Sequence, residues 1–558
     1  MPDARARTSP LQTSSQRLNP VTPHAMLTAP HYLATQAGIA LLRQGGTAID
    51  AAIGAAAVLS VVYPHMCSIG GDNFWLIYGA RAGGELRGLN ACGRAGAGAD
   101  IGFYASAGMK AVPERGYGAA VTVPGAVSGW DASFRYSRER LGSPLAWAQL
   151  FEDAIDYAEH GFPVGASLEA CLTAALDTED AEYQHLQRFS GFRAVFAGDG
   201  APHRVGSLLR QPDLAATLRA IALHGAEAFY AGAIGAAMAE ELAANGSPLT
   251  REDFLRHRPV WVEPLTTRYR DCTACNLPPN TQGLTSLQIL NILDRFDLGS
   301  IAEGCADYYH LLLEAAKRAI RDRDRHITDP DFAPVPVARL LSAAYADAMR
   351  ADIRMEVAAP PPDGRRHGGD TVWLGAVDRH GNAVSLIQSI YHPFGSGIIP
   401  QGTGVILQNR GCAFSLDPGH VNRLEPGKRT FHTLNPAMLL REGRPFLVYG
   451  TMGGEGQPQT QSALVTRIVD YGMSPQEAVA APRWLFGRTW GSVSGKVRLE
   501  GRIPGAVIAA LTARGHDIEV VEAWSEVMGH AGVILVDAEN GTLQGAADPR
   551  GDGLATGY

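Results

Sequence analysis

The chain has 558 residues and a formal net charge of −8, with 46% hydrophobic and 19% charged residues. The acidic balance argues against a nucleic-acid partner, because phosphate binding needs clustered Lys and Arg. The composition is that of an ordinary globular protein, and no Ser/Gly-rich or charged run marks a linker, so we expect one compact unit. Seven cysteines, an odd and small number, predict neither a disulfide framework nor a structural zinc site.

Targeting and membrane segments are not evident in the sequence. The stretch from Met1 to Pro30 contains Arg5 and Arg7 but lacks the apolar core of a secretory signal. No apolar run approaches the roughly 18 residues that a membrane span requires. We therefore expect a cytoplasmic protein with no membrane partner, and a periplasmic location is the weaker alternative.

The first elements of the chain read as helices that lead into a strand. Residues 34–60 carry small and apolar residues at helical spacing, and Gly45-Gly46 interrupts them. The glycine pair predicts the end of one helix, with Thr47 or Asp50 starting the next. The Gly-rich turn at residues 68–73, which we expect to serve packing, precedes a short apolar run at 74–78 that predicts a buried strand.

The middle of the chain is predicted to be mostly helical, and the last third is richer in strands. The predicted helices cover residues 145–160, 211–245 and 306–325, and Asp329-Pro330 stops the last. Residues 359–369 are rich in Pro and Gly, which leaves the backbone accessible. Beyond them, the predicted strands are 371–377 and 382–390, which form a hairpin, and 445–449. Helices followed by hairpins indicate layered α and β structure with an antiparallel sheet.

Thr371, which opens the hairpin, is a candidate nucleophile. A threonine hydroxyl is weak unless a base lies beside it, and the threonine's own α-amine can serve if the chain is cut between Asp370 and Thr371. Backbone N–H groups at Gly453-Gly454 could stabilise the oxyanion. Both features also have plain structural interpretations, namely β-propensity and a tight turn. Neither a phosphate-binding GxxxxGK[ST] motif nor the GxSxG elbow of serine hydrolases occurs.

An ordered series of short motifs resembles the γ-glutamyltranspeptidase family of N-terminal-nucleophile hydrolases, from about Ala34 to Tyr558. The motifs are Gly45-Gly46-Thr47-Ala48-Ile49-Asp50-Ala51-Ala52, Pro64 with Ile69-Gly70-Gly71, Val123-Pro124-Gly125, Gly161-Phe162-Pro163-Val164, Asp329-Pro330, Gly381-Asn382-Ala383-Val384, Phe394-Gly395-Ser396-Gly397, Gly453-Gly454, Ala481-Pro482-Arg483 and Asp548-Pro549-Arg550. Ten motifs in the right order are far more specific than any one of them.

The resemblance implies an α+β fold, the four-layer αββα sandwich. It further implies a proenzyme cut into a large chain, 1–370, and a small chain, 371–558, which pair as a heterodimer and form one structural domain. No cofactor or metal is implied. The implied site residues are Thr371 as nucleophile, Ser389 as its supporting hydroxyl, Gly453 and Gly454 as the oxyanion hole, and Arg94 as the group that binds the substrate carboxylate.

The sequence departs from the family where transpeptidases hold the α-amino and α-carboxylate groups of the glutamyl unit with an Asn, an Asp and a Ser pair. Those positions here are Tyr391, Ala413 and His432-Thr433. Loss of the Asp predicts weak binding of an α-ammonium, because removing one partner of a buried charge pair costs about 2–5 kcal/mol. The carboxylate contact remains through Arg94, with His432 as a helper. His432 is alternatively a general base or a hydrogen-bonded structural residue.

These departures predict an acyl group that ends in a carboxylate and carries no amine. The residues around Thr371, Ser389 and Gly453 resemble the acylase branch of the family. Our first expectation is removal of a glutaryl group, as in cephalosporin acylases, with some γ-glutamyl transfer. Hydrolysis of oxamate is the second. The alternative of another class is a non-catalytic protein that binds a small acid and never releases Thr371.

Overall fold

Two antiparallel sheets form the centre of the molecule. The computed structural model describes residues 19–176, 186–197, 203–362, 369–487 and 495–558. Within those ranges each of the two central sheets has seven strands, and there are two smaller sheets besides. Strands 484–486, 497–500 and 518–521 form one small sheet, and 162–163 with 208–209 form the other.

Sheet 1 contains Thr371. Its strands, in spatial order, are Leu554–Gly557, Met26–Ala29, Asp370–Val377, Ala383–Tyr391, Asp72–Gly79, Glu85–Ala91 and Val260–Val262.

Sheet 2 faces sheet 1. Its strands, in spatial order, are Val21–Thr22, Thr542–Ala547, Ala531–Asp537, Arg444–Thr451, Ala437–Arg441, Cys272–Asn276 and Leu265–Tyr269.

Helices cover the outer face of each sheet. In chain order the described helices are Tyr32–Arg43, Ala48–Val62, Ile101–Ser106, Ala126–Tyr136, Glu152–His160, Ala166–Leu176, Ser190–Phe196, Pro212–His224, Glu227–Tyr230, Ala233–Ala244, Arg251–Arg256, Gly283–Leu293, Ala306–His326, Val337–Leu340, Ala343–Ala351, Gln457–Val469, Pro475–Ala480 and Gly505–Ala513. None of them combines the length and apolarity needed to span a membrane.

Alternation along the strands builds three apolar layers. In sheet 1, Phe74 faces sheet 2 while its neighbour Trp75 packs under the helices at 32–43 and 48–62. The inner layer joins Phe74 and Trp373 to Met438 and Val448 of sheet 2. The far face of sheet 2 packs on the helices at 283–293, 306–326 and 457–469. Since successive side chains of a strand point to opposite faces, the result is the predicted four-layer αββα sandwich.

Most predicted elements are confirmed. The two N-terminal helices are separated at Gly45-Gly46, and Thr47 caps the second with Asp50 completing a capping box. The hairpin occupies 370–377 and 383–391, and the long helix ends at His326, ahead of Asp329. The predicted helix at 145–160 is a 3₁₀ segment followed by a helix from Glu152, and 211–245 divides into three helices.

Ten of the fourteen strands of the sandwich were not predicted. They are Val21–Thr22, Met26–Ala29, Glu85–Ala91, Val260–Val262, Leu265–Tyr269, Cys272–Asn276, Ala437–Arg441, Ala531–Asp537, Thr542–Ala547 and Leu554–Gly557. Most are six residues or shorter, and the burial of Met26–Ala29 does not alternate, so no period-two pattern marks that strand. Part of the Pro/Gly-rich stretch at 359–369, residues 363–368, and the start of the chain up to residue 18 lie outside the described residues.

Candidate active site

Thr371 lies in a central strand of sheet 1, between Met26–Ala29 and Ala383–Tyr391. The chain is continuous through residues 370 and 371, and Thr371 is fully buried. Its Oγ1 has no hydrogen-bond partner among the described residues. A buried hydroxyl without a partner costs about 1–3 kcal/mol, and Thr122, Ser133 and Thr285 share this property, so it is the position of Thr371 beside the bulge that sets it apart.

A β-bulge beside Thr371 sets the position of Ser389. Asp370 is opposite Tyr391 while Val372 is opposite Gln388, so one residue on the first strand faces two on the second. Tyr391 has a φ of +82°, which is uncommon for an aromatic residue. Its backbone N–H donates to Ser389 Oγ at 2.8 Å. Bulges of this kind bend a strand and redirect its side chains next to active sites.

The turn at residues 68–73 positions Ser389 as well as serving packing. A Cβ at Gly71 would lie under 3.0 Å from the Ser389 carbonyl oxygen, so only glycine allows this approach. Asp72, the next residue, pairs with Ser389 across the sheet. Its Oδ1 accepts hydrogen bonds from the Gly93 N–H at 2.9 Å and from Gln408 Nε2 at 3.0 Å. Burial raises the pKa of Asp72 to about 7.

His432 is a buried neighbour of Asp72. Its Nε2 lies 3.3 Å from Asp72 Oδ2, and its Nδ1 accepts from the Leu434 N–H at 3.4 Å. Burial, and secondarily the charge of Arg410, hold the pKa of His432 well below its usual value. Both ring nitrogens therefore have partners, and the geometry is that of a neutral, hydrogen-bonded structural histidine rather than a free general base.

Arg410 is a buried guanidinium at the bulge. It lies 3.7 Å from the centroid of the Tyr391 ring, and its Nη1 donates to Thr433 Oγ1 at 3.3 Å. Its Nε and Nη2 have no hydrogen-bond partner. Burial lowers the pKa of Arg410 from its usual value, though arginine stays protonated. Gly369 also packs against the Tyr391 ring, since a Cβ at Gly369 would lie 2.6 Å from Tyr391 Cδ2.

Gly453 and Gly454 follow the strand of sheet 2 that crosses Thr371's strand. Trp373 packs against Gly450, and Gly375 packs against Val448. The strand that leads from Gly375 back to Thr371 therefore runs over the strand that leads from Val448 to Gly453, so Thr371 and Gly453 lie at the same end of the two sheets. Both glycines have positive φ, +123° and +49°. Trp373 itself is a core residue between the sheets and donates to Ser385 Oγ at 2.9 Å.

Gln282 links the glycine loop to Thr433. Its Nε2 donates to the Thr433 carbonyl at 2.6 Å and to the Gly454 carbonyl at 2.8 Å. Arg410, Thr433 and Gly454 are therefore joined by consecutive hydrogen bonds. This connection places Arg410 and the glycine loop at the same end of the sandwich.

Arg94 lies in a separate cavity of about 410 Å³. Its Nη1 is 3.3 Å from Asp329 Oδ2 and its Nη2 is 2.8 Å from Asp331 Oδ2. The cavity is also lined by Arg256, Arg258 and Arg429 but not by Thr371. The connection of Arg94 to the site is through its neighbour Gly93, whose backbone N–H donates to Asp72 Oδ1. Its role in binding a substrate carboxylate remains a prediction.

Two arrangements outside this site bear on metal binding. His310, Glu314 and His516 hold potential ligand atoms within 4.8 Å of one another in the described part of the chain. Lys317 already places its ammonium 3.0 Å from Glu314 and 3.4 Å from His516, so a protein cation takes the place a metal would need. Cys272 and Cys275 have Cys-x-x-Cys spacing, but their strand points them into opposite apolar layers.

The structure thus groups Thr371, Ser389, Tyr391, Thr433 and the Gly453-Gly454 loop at one end of the two sheets. Ala413, the position at which the family resemblance predicts loss of an Asp, ends the 3₁₀ turn that begins at Arg410. Asp72, Gln282 and Arg410 were missed by the sequence-based prediction. Asp72 lies within the Gly-rich turn at residues 68–73, and that turn was its only sequence signal. Nothing in the sequence near Gln282 or Arg410 marks a site, because their neighbours come from distant segments.

Comparisons with known proteins identify the family of the chain. The family model described as gamma-glutamyltranspeptidase matches residues 34–558. The oxamate amidohydrolase proenzyme of Klebsiella pneumoniae is 48% identical, over 96% of this chain and 99% of its own length. The glutathione hydrolase-like YwrD proenzyme of Bacillus subtilis is 45% identical, over 95% and 98%. The crystal structure of cephalosporin acylase from Bacillus halodurans matches with a TM-score of 0.89 at 36% identity, over 100% and 99%.

Proposed function

Because this chain belongs to the γ-glutamyltranspeptidase family, we propose that it cuts itself before Thr371 and then hydrolyses amides whose acyl group ends in a carboxylate and carries no amine. The observation that carries the proposal is the buried, partnerless Oγ1 of Thr371 beside a β-bulge. The family assignment and the proenzyme names of the relatives support processing of the chain.

Self-cleavage begins with attack of Thr371 Oγ1 on the carbonyl carbon of Asp370. The C–O bond forms, the peptide C–N bond breaks, and the Thr371 nitrogen takes up the proton to become a free α-amine. Water then hydrolyses the ester, which leaves a carboxylate on residue 370 and restores the hydroxyl. Gly369, with a φ of +155°, gives the peptide the freedom to bend toward the hydroxyl.

In the mature enzyme the α-amine of Thr371 acts as the base for its own hydroxyl. Oγ1 attacks the substrate carbonyl, backbone N–H groups at Gly453 and Gly454 stabilise the oxyanion, and the leaving amine departs with the proton. Water then hydrolyses the acyl-Thr371 ester. An amine acceptor in place of water would give the weak γ-glutamyl transfer that the resemblance implies.

The charges around the site disfavour an α-ammonium on the acyl group. Tyr391 and Ala413 offer no carboxylate, and Arg410 places a positive charge beside them. Asp72, which pairs with Ser389 across the sheet, has its oxygens engaged by Gly93, Gln408 and His432. An acyl group with an amine would therefore meet a buried cation and no unpaired acid, which costs several kcal/mol.

Oxamate is the substrate we favour, which reverses the order expected from the sequence. The 48% identity to the oxamate amidohydrolase proenzyme over nearly the full length of both chains supports this choice. Removal of a glutaryl group is the second candidate, and the similarity to a cephalosporin acylase supports it. Both substrates present a carboxylate and lack an amine.

Two measurements test the proposal. Purified Thr371→Ala should remain one band on a denaturing gel and should release no ammonia from oxamate, whereas wild type and Thr371→Ser should give two fragments. N-terminal sequencing of the small fragment should begin at Thr371. A cut in Thr371→Ala, or a different first residue, would overturn the mechanism. A stable uncut wild type that binds oxamate would instead favour the non-catalytic alternative.

A panel of acyl donors tests the substrate class. We expect oxamate or glutaryl p-nitroanilide to be hydrolysed faster than γ-glutamyl p-nitroanilide, because only the last carries an α-ammonium. The rates of ammonia or nitroaniline release give kcat/KM for each donor. A clear preference for the γ-glutamyl donor would contradict the proposed class while leaving the processing step intact.

A further inference from the structure

Arg410 differs from the other fully buried arginines of the described chain. Arg323 pairs with Glu455, Arg467 with Glu303, Arg483 with Asp548 and Arg550 with Glu500. Arg410 is 1% exposed and forms no ion pair within 4.0 Å with a carboxylate of the described residues, and the charge of Asp72 acts on it only from farther away. Burying a charge without a partner in contact costs several kcal/mol, so such a group indicates a ligand or a function that stabilises it.

The two nitrogens of Arg410 without hydrogen-bond partners indicate the kind of ligand group that would fit beside them. Its Nη1 donates to Thr433 Oγ1, and its guanidinium group lies over the Tyr391 ring. The atoms left without partners, Nε and Nη2, are the pair whose N–H bonds run parallel along one edge of the guanidinium. That edge matches the two oxygens of a carboxylate, which it binds in a bidentate manner.

The position of Arg410 ties this edge to the nucleophile. Tyr391, on which it stacks, is opposite Asp370 in the hairpin, and Gly369 lies against the same ring. Through Thr433 and Gln282, Arg410 is also joined to the Gly453-Gly454 loop. Self-cleavage would free Gly369 from its position against the Tyr391 ring, and the acyl group of a substrate would then enter beside that ring.

We propose that Arg410 is the receptor for the carboxylate of the acyl group, binding it through Nε and Nη2. This inference rests on the proposed function, since it names the group that selects the acyl chain. Arg94, which the family resemblance suggests for this role, already has two carboxylate partners, Asp329 and Asp331. The acyl carboxylate would thus supply the hydrogen-bonded partner that Nε and Nη2 lack in the described part of the chain.

The test compares matched substrates with and without the carboxylate. Oxamate is compared with oxamide, and glutaryl p-nitroanilide with pentanoyl p-nitroanilide, on cleaved wild type, Arg410→Gln and Arg410→Lys. We expect Arg410→Gln to lose about 100-fold or more in kcat/KM for the carboxylate substrates, mainly through KM, and to change little on the neutral ones. Arg410→Lys keeps the charge but loses the bidentate edge, so a loss of about tenfold is expected.

Controls separate this proposal from loss of folding and from failure of the proposed function. Arg498→Gln, a largely buried arginine on the small sheet that pairs with Glu519, should behave as wild type. Circular dichroism and the two-fragment pattern on a gel verify folding and processing. If Arg410→Gln is not self-cleaved, the substrates are compared on Arg410→Lys alone. A kcat/KM for oxamate within threefold of wild type in the cleaved variant overturns the proposal.

Calorimetric titration of oxalate and glutarate into the cleaved proteins measures binding of the carboxylate without hydrolysis. Binding to wild type with loss in Arg410→Gln supports the receptor even if no amide is hydrolysed, in which case only the proposed function fails. Equal binding by both proteins, or an equal loss of activity on charged and neutral substrates, overturns the receptor role while the hydrolase activity stands.

Discussion

Burial of charged and polar atoms is the main feature at the scale of single residues. Thr371 Oγ1 and the Nε and Nη2 atoms of Arg410 lack partners, whereas the atoms of Asp72 and His432 are fully engaged. The first group is poised to gain a partner from a substrate or from the chain's own peptide bond. The second group holds the strand of Ser389 and the backbone of Gly93 in place.

Asp72 should make the stability of the protein depend on pH. Its pKa in the fold is about 7, raised by burial, against about 4 in the unfolded chain. Between these values the folded state binds more protons, so the contribution of Asp72 to stability is greatest below about pH 4 and is lost as the pH rises through about 7. Asp72→Asn should show a smaller fall in Tm from pH 5 to pH 8. The exposed Asp517→Asn serves as control, and an unchanged fall in Asp72→Asn would contradict this role.

At the scale of elements, the approach of the two sheets depends on small residues opposite Trp373. Gly450 and Gly532 of sheet 2 both contact its ring, and a Cβ on either would lie under 3.0 Å from it. The same crossing brings the Gly453-Gly454 loop to the end of the sandwich at which Thr371 lies. The oxyanion loop is therefore positioned by packing three residues earlier in its strand.

Gly450→Ala should destabilise this crossing. The added methyl group would overlap the Trp373 ring, and overpacking of a core costs about 1–3 kcal/mol. We expect a lower Tm by differential scanning calorimetry and slower self-cleavage. Gly505→Ala is the matched control, because a Cβ there meets no atom within 4 Å and the residue lies in a helix. A Tm for Gly450→Ala equal to that of Gly505→Ala would show that the ring moves freely.

For the whole molecule, both sheets contain strands from before and from after position 371, and these strands pair with each other. In sheet 1, Met26–Ala29 lies between Leu554–Gly557 and Asp370–Val377, and in sheet 2 Cys272–Asn276 pairs with Ala437–Arg441. Cutting one peptide bond removes none of these ladders. We therefore expect the two chains to elute together in gel filtration and to separate only in denaturant.

The buried pair of Arg323 and Glu455 joins the two segments across this future boundary. Their side chains are 0% and 1% exposed, with Nη2 and Oε1 2.6 Å apart. Arg323→Ala would remove this buried ion pair from Glu455, and breaking such a pair costs about 3–5 kcal/mol. The cleaved variant should have a lower Tm and should dissociate at lower urea concentration than wild type. Arg325→Ala, exposed on the same helix, should leave both unchanged, and equal effects of the two variants would argue against the pair.

The sequence by itself determined the local elements that have strong signals. The helices around Gly45-Gly46, the hairpin at 370–391 and the long helix to His326 follow from period, capping and turn residues that are contiguous in the chain. The ordered motifs also identified the family and the αββα fold, and pointed to Thr371, Ser389 and the glycine pair. These predictions need only neighbours in sequence or motif order.

Only the tertiary structure decided which side chains share a site. Arg410, Thr433 and Gln282 come from three separate segments, and their hydrogen bonds exist only once the two sheets are packed. Two nitrogens of Arg410 lack hydrogen-bond partners among the described residues, while Arg94 pairs with two carboxylates, and both conditions depend on long-range packing. Burial and charge pairing are properties of the whole fold, so a local pattern in the sequence could not reveal them.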